Sequence, residues 1–230
     1  MPGVEEFYRQ PLFGIAITVM LYAAALRLNK RLNWLNPLLV AAGGLIVLLL
    51  ICDIPYEDYK VGGDVVTFFL GPATVALAVP LYKSARKMKG RLRAIVLGSV
   101  IGCITGLLSA CLLVWSLHGS RDILLSMLPK SVTSPVAIEV ARQIGGIPEL
   151  GGVFAVLTGL FGSIAGPWLL NKTGVHSDIA IGTSMGTAAH GIGTARILRD
   201  SELQGGISGF AMGLSCIITP ILCIPIYFLR

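Results

Sequence analysis

Gly182-Thr183-Ser184-Met185-Gly186-Thr187-Ala188-Ala189-His190-Gly191-Ile192-Gly193-Thr194-Ala195-Arg196 is the stretch that decides how this chain is read. It lies between apolar runs long enough to cross a bilayer, yet it is too rich in glycine and hydroxyls for an ordinary lipid-facing helix. At 100° per residue, Thr183, Thr187, His190 and Thr194 fall at about 0°, 40°, −20° and 20°, a single narrow polar stripe. Hydrocarbon would leave those groups unpaired, so the stripe is expected to face protein, water or a ligand. Gly182, Gly186, Gly191 and Gly193 beside it allow a second backbone to approach or the helix to unwind. A helix interrupted at mid-membrane depth is a common way to bind a small solute. The alternative is tight helix packing, with the threonines bonded back to their own helix.

Composition fixes the class. The chain has 230 residues, is 54% hydrophobic and only 13% charged, and has a mean hydropathy of +0.80, whereas a soluble domain carries about 25% charged residues. An all-α polytopic membrane protein is expected. Ten-residue strands of alternating polarity are absent, which argues against an outer-membrane barrel. The start, Met1 to Gln10, is polar, so neither a cleavable signal nor an Arg/Ser-rich transit peptide is expected. A bacterial or archaeal plasma membrane follows. Cys52, Cys103, Cys111, Cys216 and Cys223 lie in apolar runs without a C-x-x-C pair and read as small buried hydrophobes. No metal or cofactor is expected, and the net charge of +6 is not a nucleic-acid footprint. Half of the Lys and Arg residues sit in two short loops, as membrane topology places them.

Seven spans are expected: Pro11 to Leu26, Trp34 to Cys52, Val65 to Tyr82, Ala94 to Leu117, Ile147 to Leu170, Ile179 to Leu198 and Gly206 to Leu229. An acidic connection holds Asp53, Glu57, Asp58 and Asp64. Gly71-Pro72 and Pro80 break the third run. The basic loops at Arg27–Arg31 and Lys83–Arg93 are placed in the cytoplasm, with the N-terminus external. Pieces within His118 to Gly146 are too short to span. They are read as a re-entrant hairpin with Pro129-Lys130-Ser131-Val132-Thr133-Ser134-Pro135 at its tip, or else as an external loop. A shift of 115 residues lays Gly71-Pro72-Ala73 on Gly186-Thr187-Ala188, which suggests related halves over 11–117 and 118–230. These are inverted if the hairpin is re-entrant and parallel if it crosses.

Two enzyme-like motifs fail on context. Gly182-Thr-Ser184-Met-Gly186 has the G-x-S-x-G form but no strand-turn-helix around it. Gly191-Ile-Gly193-Thr-Ala-Arg196 has Arg where a dinucleotide fingerprint needs Gly. No enzymatic role is expected.

The run Leu128-Pro129-Lys130-Ser131-Val132-Thr133-Ser134-Pro135, then Gly145-Gly146-Ile147-Pro148, then Gly186 to Arg196, closely resembles the LrgB/CidB family. Asn36-Pro37-Leu38-Leu39 and Pro72 to Tyr82 also look like family motifs, and the match covers nearly the whole chain in order. The resemblance implies one of two roles. One is an antiholin-like or holin-like protein acting with a small LrgA/CidA-type partner on murein hydrolase activity and autolysis. The other is a carrier of small carboxylates, since some members are implicated in pyruvate uptake and plant relatives are plastidial glycolate/glycerate translocators.

For carriage, an anion at depth needs positive charge or aimed amides. Helix starts exposed at Pro72 and Gly191 supply amides. Thr74, Ser131, Thr133, Ser134, Thr183, Thr187 and Thr194 supply hydroxyls, with Gly193 as a point of unwinding. Lys130 and Arg196 are the candidate counter-charges, unless Lys130 is a surface lysine and Arg196 an interfacial anchor. His190 is the candidate proton carrier and Glu139 the second, although Glu139 and Glu149 can equally be interfacial groups paired with Arg142. The expected surroundings are a lipid bilayer, a small carboxylate solute and, from the exposed glycine faces, a second copy in a dimer.

Overall fold

The computed structural model describes residues 7–32, 37–76, 79, 82–83 and 88–228, apart from the side chains of 70, 73, 74 and 227. The described residues are helical, and four helices are long and apolar enough to cross a membrane: Pro11–Arg31, Lys89–Ser116, Pro148–Lys172 and Glu202–Ile226. The chain divides into two compact units, Met1–Ala76 and Leu77–Arg230.

In the first unit, α1 (Pro11–Arg31) packs against α2 (Pro37–Ile51) and α3 (Tyr56–Phe68), and α4 (Leu70–Ala76) follows. The expected acidic connection is a correction: from Tyr56 onward it is helix. Two glycines explain why this charged segment docks. A side-chain carbon on Gly14 would stand 2.7 Å from the carbonyl oxygen of Tyr59 and 2.8 Å from the Cα of Gly62, so α1 and α3 touch backbone to backbone. The buried Asp58 carboxylate takes Arg9 Nε at 2.9 Å, and the Thr18 and Tyr59 hydroxyls pair at 3.0 Å. The break expected near Gly71-Pro72 falls at Phe69, and Pro72 sits in the first turn of α4, where its missing N–H costs nothing. The break expected at Pro80 and the positions of Trp34, Asn36, Arg86 and Lys87 lie outside the described residues.

The second unit contains a 3₁₀ turn (Lys89–Arg91), then α5 (Leu92–Ser116), α6 (Arg121–Met127), α7 (Ser134–Ile144), α8 (Pro148–Lys172), α9 (Asp178–Leu198) and α10 (Glu202–Phe228). The α6–α7 segment is a helical hairpin: Leu125 and Leu128 pack with Val140 and Ile144, and Ile147 N donates to Ser126 Oγ at 2.8 Å across its base. Ser120 caps α6 by accepting from Ile123 N, and Gly145 ends α7 at φ 87°, a conformation that suits glycine. The tip is buried, with Pro129 and Val132 fully enclosed.

α9 corrects the sequence reading more deeply. The expected sixth span is not one straight helix; the chain doubles back within it. His190 has φ 39° and ψ −134°, far outside helical values. A side-chain carbon on Gly193 would lie 3.2 Å from the carbonyl oxygen of Met185. Ile197 packs in one cluster with Met185 and Ala189, with Ile181 against it. In a straight helix Ile181 and Ile197 would stand about 24 Å apart. Residues 178–189 and 191–198 are therefore two arms of a second hairpin.

The neighbours of α10 trace the reversal. Gly182 lies against Gln204 and Ile207, Gly186 against Ser208 and Ala211, and Gly191 against Met212; on the return, Thr194 meets Ser208 and Leu198 meets Gly205. Both ends of the hairpin thus lie beside the start of α10, where Gln204 Nε2 donates to Asp178 Oδ1 at 2.7 Å.

The two hairpins enter from opposite ends. Along α5, Gly98 and Gly102 face Thr183 and Thr187 of the second hairpin, and Gly106 faces Ser131 at the tip of the first. Along α10, Met212 meets the second tip and Cys216 meets Thr133 of the first. On α8, the Ala155 side chain packs with Val132 of the first tip, and its carbonyl oxygen lies 2.8 Å from His190 Nε2 of the second. Three helices agree on one meeting level, about one helical turn (~6 Å) thick. The order is helix, hairpin, helix, hairpin, helix, with α5 and α10 running one way and α8 the other.

Candidate functional site

A cleft of ≈ 830 Å³ follows the wall of the second hairpin to the tip of the first. α5 contributes Gly98, Gly102, Gly106, Thr105 and Ser109, and the turn before it contributes Arg91. The first tip contributes Lys130 and Ser131, and α8 contributes Thr158. Ser177 precedes the second hairpin, whose first arm contributes Thr183, Ser184 and Thr187. The glycines give the cleft its depth. A side-chain carbon at Gly98, Gly102 or Gly106 would stand 3.1–3.3 Å from Thr183, Thr187 and Ser131 respectively.

The charge in the cleft has one sign. Arg91 and Lys130 line it, no carboxylate does, and neither cation forms an ion pair among the described residues. Lys130 Nζ donates to Ser131 Oγ at 3.4 Å, a long contact. A half-buried cation without a counter-charge calls for an anion from outside. Two helix starts also point at the meeting level: α7, whose N-cap Thr133 makes no side-chain cap, and the returning arm 191–198. First-turn amides and the positive dipole end favour negative charge there.

The polar stripe expected on one face is divided three ways by the reversal. Thr183 and Thr187 line the cleft. His190 turns to α8. Thr194, fully buried, donates to the His190 carbonyl oxygen at 2.7 Å and so accepts from Ser208 Oγ at 2.7 Å. Thr187 donates back to the Thr183 carbonyl oxygen at 2.8 Å, the packing alternative for a helical threonine, so its own proton is already placed. Thr183 differs: it is buried, lines the cleft, and its Oγ1 has no partner among the described residues.

Other expected site residues lie elsewhere. Thr133 faces Cys216 at 3.6 Å, Ser134 opens α7, and neither lines the cleft. Gly191 and Gly193 stand at the turn and first return of the second hairpin and do not line it either. Arg196 pairs with Asp200 four residues on, an exposed helical contact near the hairpin base, so it does not reach the stripe. Glu139 is exposed and takes Arg142 Nη1 at 2.7 Å and Gln143 Nε2 at 3.1 Å. Pro72 is exposed in α4 of the first unit; Thr74 is in the same helix, its side chain outside the described part. Sequence reasoning assigned Arg91 to loop charge and passed over Thr158; neither has a local pattern that separates it from its neighbours. A smaller groove of ≈ 370 Å³ between α7 and α10 has apolar walls apart from Gln143 and holds none of these residues.

Comparison with known proteins gives the lineage. The uncharacterized protein YwbG of Bacillus subtilis is 37% identical over 90% of this chain and 92% of its own length. A Staphylococcus aureus protein named holin-like protein CidB is 36% identical over 96% of this chain and 97% of its own, and its Staphylococcus epidermidis namesake is 34% identical over the same shares. No solved structure matches. The pattern of the LrgB-like family matches residues 18–229, nearly the whole length, and the chain, a bacterial-type membrane protein by its apolar helices and its relatives, belongs to that family.

Proposed function

We propose that this chain carries small monocarboxylates of the pyruvate, lactate or glycolate type across the membrane. The observation that supports this most is the cleft that runs along the second hairpin to the tip of the first, with Lys130 uncompensated and the Thr183 hydroxyl unpartnered among the described residues. Lys130 balances the carboxylate charge at the seam and the α7 and 191–198 helix starts add amide dipoles at that level, while Arg91, about 22 Å from Gly106 along α5, and Thr183 line the approach to it. In this reading α5, α8 and α10 cross the bilayer, both hairpins are re-entrant from opposite faces, and access alternates between the faces. The inverted relation then joins α5 with the first hairpin to α8 with the second, in place of the 115-residue shift. A proton co-substrate and a homodimer through open glycine faces such as Gly213 are proposed with this scheme.

A second reading rests on the relatives: the name holin-like protein CidB backs a holin-like role more directly than carriage. On that reading the chain regulates murein hydrolase activity and autolysis with a small LrgA/CidA-type partner. One experiment separates the two. Purified protein in liposomes is given labelled pyruvate, lactate and glycolate. Saturable, competable uptake that falls in Lys130→Gln and Thr183→Val supports carriage. A conductance that passes large solutes alike, indifferent to both substitutions, supports the holin-like role.

A further inference from the structure

The backbone reversal of the second hairpin falls on a histidine, although a glycine stands next to it. Among the described residues only Asp53, His118 and His190 have positive φ without being glycine, and the first two are exposed in turns between helices. His190 is 3% exposed and holds φ 39° and ψ −134° in the interior. Gly191 could take such values with no steric cost. The side chain of His190 must therefore supply what a glycine cannot.

Its surroundings show what that is. Nε2 lies 2.8 Å from the carbonyl oxygen of Ala155, and since a carbonyl only accepts, Nε2 is the donor. The ring sits over Gly159, where a side-chain carbon would come within 2.7 Å of both Cε1 and Nε2. Ala155 and Gly159 are one turn apart on α8 and form a socket of acceptor and vacant floor. The ring is not part of the cleft wall, and among the described residues its one hydrogen-bond partner is that carbonyl oxygen.

We infer that His190 is a positioning residue, pinning the apex of the second hairpin into the Ala155–Gly159 socket of α8 and thereby setting where Thr183 and Thr187 stand against α5, without itself touching the solute or carrying its proton. The functional readout of this inference rests on the carriage reading; its structural readout does not.

The test uses the full chain with its cysteines replaced by serine and two reporter pairs. Gly102→Cys with Thr187→Cys reports the second hairpin, and Gly106→Cys with Ser131→Cys reports the first. A Cβ on Gly102 would stand 3.3 Å from that of Thr187 and one on Gly106 3.9 Å from that of Ser131, at or near disulfide reach. Oxidative cross-linking of the first reporter is expected to fall at least fivefold in His190→Gly and Gly159→Ala. His190→Asn, which keeps a side-chain N–H donor, is expected to recover part of it. The second reporter keeps its full yield in all three, which shows that they fold. In liposomes without reporter cysteines, uptake falls in parallel while its pH profile keeps its shape. Full cross-linking in His190→Gly overturns the pin. So does uptake by His190→Asn that has lost its pH dependence, which would make His190 a proton carrier. If the unsubstituted chain takes up no carboxylate, carriage fails and the cross-links alone decide the pin.

Discussion

Gly102 and Gly106 lie one turn apart on α5, yet each faces a different hairpin: Thr187 of the second stands over Gly102 and Ser131 of the first over Gly106. The seam between the hairpins passes between them. Both glycines lack the atom that would fill the cleft.

Substituting them tests the cleft wall. Gly102→Val pushes on Thr187 Oγ1, 3.1 Å from the added carbon, and Gly106→Val on Ser131 Oγ, at 3.3 Å. Overpacking of this kind costs about 1–3 kcal/mol. Uptake in liposomes is expected to fall about tenfold or more in each, with thermal stability lowered modestly. Gly43→Ala in α2, where open space surrounds the position, is the control expected to change neither.

Lys130 lacks a counter-charge, so an anion should stabilise the protein through it. Hydrogen bonds to charged groups contribute about 1.5–3 kcal/mol, so Lys130→Gln should raise the concentration for half-maximal uptake by roughly 10- to 100-fold. Thermal unfolding in detergent gives a second readout. Pyruvate should raise the midpoint of the unsubstituted protein and leave that of Lys130→Gln in place.

Thr194 and Ser208 are both fully buried and share one hydrogen bond at 2.7 Å. Thr194→Val leaves the Ser208 hydroxyl without this partner, at a cost of about 1–3 kcal/mol, whereas Ser208→Ala leaves Thr194 its bond to the His190 carbonyl oxygen and costs less. Thr194→Val and Ser208→Ala should each lower the unfolding midpoint, and the double variant should lie above the sum of the two losses. Additive losses would show that the pair is not coupled.

Arg196 gives the contrasting case. Its exposed pair with Asp200 is a helical i,i+4 contact, of the kind that contributes about 0.3–0.5 kcal/mol. Arg196→Gln should leave uptake within about twofold and the midpoint nearly unchanged.

α5 and α10 run in the same direction, and Lys83 of the basic loop pairs with Glu202 at the start of α10 at 2.8 Å. If the basic loop is cytoplasmic, the far end of α10 is external, against the cytoplasmic position that a single hairpin would give. A protease site appended after Arg230 should be cleaved from outside intact cells.

Much of the helix inventory was legible from apolar run length: α5, α8 and α10 lie within a few residues of the expected spans, because a bilayer-length run has few alternatives. The α6–α7 hairpin was legible from its two prolines and short arms. The acidic helix α3 was not, since its docking depends on Gly14 and Gly62, 48 positions apart, and on Asp58 finding Arg9. The reversal at His190 was half legible. Glycines and hydroxyls marked an interruption, but periodicity extrapolated one stripe through it, and a stripe cannot report that the chain turns round. Lys130, Ser131, Thr183 and Thr187 reach one cleft because their positions are fixed by local pattern on either side of the seam. Arg91 joins them only through the packing of α5.

The paired, opposed hairpins are the centre of this account, and their bases decide it. In a cysteine-free chain in sealed, oriented vesicles, Ser120→Cys, Ser177→Cys and Ser201→Cys are labelled with a membrane-impermeant maleimide. Positions 177 and 201 are expected to react from one face and position 120 only from the other. Labelling of 177 and 201 from opposite faces would mean that α9 crosses the membrane, and the opposed-hairpin cleft would have to be abandoned.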